Sequence, residues 1–187
     1  MGKARKSGSA DFLETMSREF YKCKFRLNQK DAFLLWFSDD KDGVITNSSG
    51  AVICFDSLRS LKQFASRKGW KVHPEKSLLH NFDKVISWLD GEGEADFEYD
   101  EFLSVWNLLG DVSDSVGGNF DLNRKRTNKI YNKLFWGNNL MSITPENRKF
   151  KPEWTREERR LMHSILLKGI KLFQSSLTKS KRVRLSI

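Results

Sequence analysis

The hydrophobic positions follow two different rhythms along the chain. In "KCKFRLN" apolar and charged residues alternate, while "AFLLWF" and "AVICF" are short apolar runs rich in aromatic and β-branched residues, bounded by Asp, Gly, Asn and Ser. Period two with that punctuation predicts strands, the first with a charged face in water. Ahead of them, "DFLETMSREF" carries Phe12, Leu13, Met16 and Phe20 at the spacing of a short amphipathic helix. "WKV", at residues 70–72, predicts one more short strand, broken by His73-Pro74.

From residue 56 onward a helical rhythm takes over. "DSLRSLKQFASRKG" places Leu58, Leu61, Phe64 and Ala65 on one face, with Asp56 or Ser57 as cap and Gly69 as stop. "NFDKVISWLDG" aligns Phe82, Val85, Ile86 and Leu89 and ends at Gly91. A helix from about Asp100 turns Phe102, Leu103, Trp106 and Leu109 inward, with Gly110 as a weak point. Ile130, Tyr131, Leu134 and Phe135 mark the next, which stops at Gly137. The last begins at Thr155, where "TREE" is a capping box with Glu158 in the third helical position, and Leu161, Ile165, Leu166, Ile170 and Phe173 line its apolar face. Strands early and helices late, with no alternating rhythm, predict an α+β fold. It would have a small antiparallel sheet in the N-terminal half packed with helices, and a mainly helical C-terminal half. Residues 1–10 read as a flexible basic arm, 11–178 as a single domain and 179–187 as a basic tail.

"DDKDG", between two strand-like runs, has the look of a calcium loop. An EF-hand register with Gly43 at position six puts Ser38 at position one and Ser49 at position twelve, where Asp and a bidentate Glu belong. Two serines there supply too few hard oxygens, and the flanks read as strands. The stretch is therefore a turn, with Asp42-Gly43 and Ser49-Gly50 supplying residues suited to positive φ.

Composition narrows the class. With 187 residues and a 12% aromatic fraction, the chain can bury a sizeable core. No apolar run approaches the length of a membrane span, and the N-terminus lacks the apolar stretch of a signal peptide, so a cytoplasmic protein with no membrane partner is expected. Cys23 and Cys54 then stand as reduced, packed thiols. Three histidines and two cysteines, scattered, do not make a zinc cluster, and neither metal nor cofactor is expected.

The net charge of +9 is unevenly laid out, with +5 over residues 1–30, −8 over 31–120 and +12 over 121–187. An acidic middle between basic ends suggests two surfaces of opposite sign. No phosphate loop, nucleophile elbow or Cys-His pairing is visible, so a non-enzymatic role is expected; His163 sits on a mainly polar helix face and reads as a surface residue. "DGEGEADFEYDE" packs seven carboxylates into twelve residues. It is a solvated loop and helix start, a weak magnesium site, or a docking surface for a basic partner, with Asp96, Phe97, Glu98, Tyr99, Asp100 and Glu101 as the contact residues. The alternative is nucleic-acid binding by the basic C-terminal segments, through Arg124, Lys125, Arg126, Lys181, Arg182 and Arg184.

Two further stretches, "FLSVWNLLGDV" (102–112) and "YNKLFWGNNLMSITPE" (131–146), place Trp or Phe beside Asn and Gly. They resemble segments of small bacterial proteins associated with immunity against secreted toxins. That resemblance covers roughly the last half of the chain and implies a protein partner, a toxin domain, neutralised by an acidic, aromatic-bearing surface.

Overall fold

A computed structural model describes residues 18–91, 98–120, 124–140 and 148–180. Its strands are β1 (Glu19–Leu27), β2 (Lys30–Ser38), β3 (Gly43–Val44), β4 (Cys54–Phe55) and β5 (Leu79–Asn81). The helices are α1 (Leu58–Arg67), α2 (Phe82–Asp90), α3 (Tyr99–Ser115), α4 (Arg124–Gly137) and α5 (Arg156–Ser180). The fold is α+β, with strands in the N-terminal half and helices dominating the rest.

The sheet runs in the order β3-β2-β1-β5, with β4 also paired to β2. It is mixed, not purely antiparallel: β5 lies parallel to β1, pairing Lys24 with Leu79 and Arg26 with Asn81. A three-residue strand reached through a helical crossover leaves almost no periodic signal, which is why the pattern did not show it.

Period two decides which layer each residue joins. Cys23, Phe25 and Leu34 face a core built with α2, α3, α4 and α5. Phe20, Leu35 and Phe55 face the other way and pack with Leu61 and Ala65 of α1. The sheet therefore lies between a single helix and a helical layer. Phe37, Phe64, Ile86 and Phe135, expected in the interior, are half-buried at the margins of these clusters.

Phe20 corrects the helix expected over the first residues. Residues 11–17 lie outside the described part, but Glu19 and Phe20 already belong to β1, and the Phe20 ring stacks on Trp70 at 4.5 Å. Nine paired residues in the β1–β2 ladder outweigh a local helical spacing. The expected strand at 70–72 shrinks to one bridge, Phe20 to Val72. "AVICF" shortens likewise to Cys54–Phe55, with Val52 bridging Thr46.

DDKDG is the connection between β2 and β3, and its acids serve the turn. Ser38 Oγ donates to Asp42 Oδ1 at 2.8 Å, the Lys41 N–H donates to Asp39 Oδ1 at 3.0 Å, and Arg18 Nε donates to Asp39 Oδ2 at 2.6 Å. Gly50 has the positive φ expected of it, 73°, but Gly43 does not. Gly43 is there for room, since a Cβ would stand 2.7 Å from both Phe37 Cζ and Ser115 Oγ. The β1–β2 hairpin turns instead on Asn28 and Gln29, with φ of 53° and 59°. Both of their N–H groups donate to the Asp83 carboxylate at 2.7 Å, tying the turn to the start of α2.

The helix signals hold. Ser57 caps α1, accepting from the Ser60 N–H at 3.2 Å. Helix α3 runs unbroken through Gly110. At α5 the capping box closes both ways: the Glu158 N–H donates to Thr155 Oγ1 at 3.2 Å, and the Thr155 N–H donates to Glu158 Oε2 at 3.0 Å. Burial alone would raise the Glu158 pKa, but hydrogen bonds from Lys133 and from the Thr155 N–H outweigh it and hold the carboxyl at about 2.

Candidate functional site: an acidic groove along α3

The hollow that matters begins where the sheet edge is incomplete. On its outer side β1 is bridged at Phe20 by Val72 and paired again from Lys24 by β5, so Tyr21 to Cys23 have no strand beside them. A cavity of about 490 Å³ fills this gap, lined among others by Tyr21, Cys23, Trp36, His73, His80 and Asp111. A larger groove of about 1000 Å³ continues from it along α3 to Phe120 and Tyr131, with Trp36, Asn107 and Asp111 lining both. Asp42, Asp111 and Asp114 line the groove, and no Lys or Arg does.

Helical spacing explains the acidic wall. Asp100, Ser104, Asn107, Asp111 and Asp114 follow one another at three- or four-residue steps, so they share the outer stripe of α3. Two of the aspartates lie in the last turns of the helix, where the dipole disfavours negative charge and no basic residue offsets it. Asp111 is the focal group. The Trp36 indole Nε1–H donates to its Oδ2 at 2.8 Å. Burial raises its pKa above the ordinary carboxylate range; the indole bond opposes that rise, and repulsion from Asp42 and Asp114 adds to it.

A carboxyl whose pKa is raised by folding binds its proton more tightly in the folded state. Its ionisation therefore weakens the fold as pH climbs through the folded pKa, and at neutral pH the charge costs stability. Asp111→Asn keeps an acceptor for Trp36 and removes the charge. It is expected to raise the thermal midpoint at pH 7 by the equivalent of about 1 kcal/mol or less, solvent screening allowed for, and to lose that advantage near pH 3. Thermal unfolding at the two pH values checks this; a lower midpoint at pH 7 would contradict it.

The other groups in the first cavity are poised against covalent chemistry. Cys23 is buried, which pushes its thiol pKa up, the reverse of an activated thiolate. The Tyr21 hydroxyl donates to Glu19 at 2.6 Å, and mainly through that bond its pKa is pushed up to about 12. His80 is held by the Ser104 carbonyl at 3.0 Å from Nδ1, and burial lowers its pKa, so at pH 7 it is the neutral tautomer protonated on Nδ1. The His73 ring stacks on Tyr21 at 4.7 Å. These groups build aromatic walls around a carboxylate. Lys22 and Lys76 also line this first cavity, so the place suited to a cationic side chain is the groove along α3, where Trp36 and Asp111 offer a ring face and a counter-charge with no lysine beside them.

The docking residues expected from sequence fall differently. Asp96 and Phe97 lie outside the described residues. Glu98 and Glu101 both accept from Lys84 Nζ, at 2.9 and 2.7 Å, which raises the Lys84 pKa and neutralises much of their charge. Tyr99 is half-buried: its ring lies where a Gly137 Cβ would come within 2.6 Å, and its hydroxyl accepts from Trp154 Nε1 at 3.3 Å. Asp100 is exposed at the head of the acidic stripe. Of the alternative set, Arg124 opens α4, Lys125 is exposed, and Arg126 is paired with Glu157. Lys181, Arg182 and Arg184 lie outside the described residues. His163 is not a plain surface residue, because its Nε2 lies 3.1 Å from the Leu89 carbonyl and joins α5 to α2.

No helix among the described residues is long and apolar enough to cross a membrane. No family model matches the sequence, and no curated protein matches it. Among solved structures, the C-terminal domain of SatS, crystallised in complex with bromine, aligns with a TM-score of 0.49 at 14% identity, over 91% of this chain and 96% of that one.

Proposed function

We propose that this protein is a non-enzymatic binding module that docks a basic protein partner, a bacterial toxin domain of the kind that immunity proteins neutralise. The observation that carries the reading is the α3 groove, with aromatic walls, three aspartates and no lysine or arginine along its length. Toxins that attack nucleic acid present basic clefts. An acidic groove complementary to such a cleft speeds encounter and blocks access at once. Asp111 and Trp36 form the anchor for a partner Arg or Lys, while Asp42 and Asp114 steer from the rim. Glu98, Asp100 and Glu101 lie toward the other end of α3 and extend the acidic edge.

The test is affinity capture from the native bacterium with the tagged full chain. The expected catch is a basic polypeptide, the C-terminal fragment of a large secreted protein, that no longer binds when Asp111 and Asp114 are both changed to Asn. Capture of RNA or DNA alone, or turnover of a substrate by the purified protein, overturns the reading.

A further inference from the structure

The segment from residue 31 to 120 is acidic overall, yet five of its eight basic residues fall within residues 59–71, and no Asp or Glu occurs from 57 to 74. Those five, Arg59, Lys62, Arg67, Lys68 and Lys71, lie on α1 and its exit, and all are exposed. Arg59, Lys62, Gln63, Ser66 and Arg67 occupy one outward stripe, opposite the Leu61 and Ala65 face that packs on the sheet.

Several cations elsewhere on the molecule are already answered by acids. Lys84 is held by Glu98 and Glu101, Lys129 and Lys133 by Glu158, Lys24 and Arg26 by Asp31, and Arg126 by Glu157. Among the described residues no acid pairs with any of the five. Beside them lies an open hollow of about 430 Å³, lined by Lys62, Ser66, Gly69, Trp70 and Lys71. It brings two ammonium groups and a hydroxyl around one space.

We propose that the outer face of α1 binds the phosphate backbone of nucleic acid without reading its sequence. A ten-residue helix is about 15 Å long, the rise of about four nucleotides along one strand. Its cations can therefore each meet a phosphate, with Gln63 and Ser66 as additional donors. An acidic protein is the weaker match, because protein interfaces are anchored by aromatic or large apolar side chains. The exposed large hydrophobics among the described residues are Leu78, Trp136, Leu140, Phe150 and Leu167, none of them on α1. This face is separate from the α3 groove and does not depend on the reading of it.

Fluorescence anisotropy of the full chain with a labelled 20-base-pair DNA duplex of arbitrary sequence tests the proposal. The logarithm of the affinity is expected to fall linearly with the logarithm of salt, with a slope of about −3 to −4. The variant R59Q/K62Q/R67Q/K71Q should bind at least tenfold more weakly with a much shallower slope, while K125Q/R126Q on α4 should bind as the parent does. Circular dichroism of the first variant confirms that it is folded. Absence of binding at 50 mM salt, or an unchanged affinity or slope in the α1 variant, overturns the proposal. So does polyglutamate competing as well as unlabelled duplex. Capture of the basic partner by the α1 variant should be unimpaired, so the two surfaces fail or stand separately.

Discussion

Phe173→Ala is expected to remove about 3–5 kcal/mol of stability, a large share of what a domain of this size possesses. Phe173 is fully buried, and its position explains the size of the effect. Its ring stacks on Phe82 at 4.5 Å and meets the edge of Phe25 at 5.2 Å, while Phe25 and Phe82 meet edge-on at 6.2 Å. One aromatic triad thus joins α5, the start of α2 and the C-terminal part of β1. Removing its central ring leaves a cavity that rigid neighbours on three elements cannot close. Phe64→Ala, on the half-buried margin of the α1 layer, is expected to cost roughly half as much. Urea unfolding of both variants decides the matter: equal shifts in the midpoint would mean that the two layers are coupled more evenly than their packing indicates.

That triad was partly legible in the sequence, since Phe82 and Phe173 stood on apolar helix faces and Phe25 on an alternating strand. Periodicity located every helix from α1 to α5 because each keeps its apolar residues on one stripe. It misplaced Phe20, where helical and strand spacings coincide, and passed over β5, three residues long and next to a helix start. The turn at DDKDG was legible; the reason for Gly43 was not, because the atoms it must clear belong to Phe37 and Ser115. The groove was the least legible feature. Trp36 and Asp111 are 75 residues apart, and no local pattern links an indole on a strand to a carboxylate on a helix. A signal was nonetheless present. Acids at the end of α3 with no base to offset them run against the helix dipole, and the stripe from Asp100 to Asp114 could have been drawn from spacing alone. The dense acidic run at residues 90–101 drew attention instead, though Lys84 answers two of its carboxylates and Tyr99 is committed to packing.

Asp111→Asn is expected to weaken binding of the basic partner by about 2–5 kcal/mol, and to do so through faster dissociation. Folding has already removed part of the water around this half-buried carboxylate, so a partner Arg or Lys that reaches it completes a charge pair at a reduced further desolvation cost to this protein. Without the charge, the incoming cation would be left desolvated and unpaired. Asp42 and Asp114 are exposed, and their charge acts at longer range. Asp42→Asn and Asp114→Asn should mainly slow association, by an amount that shrinks as salt is raised. Stopped-flow association and dissociation rates at two salt concentrations separate the roles. Equal effects of all three substitutions on the association rate would reduce the groove to a diffuse acidic patch and remove Asp111 as its anchor. Because Asp111→Asn is also expected to make the free protein more stable, weakened binding by this variant cannot be put down to unfolding. A group that costs stability in the free protein and strengthens the complex is what a binding site requires of its central charge.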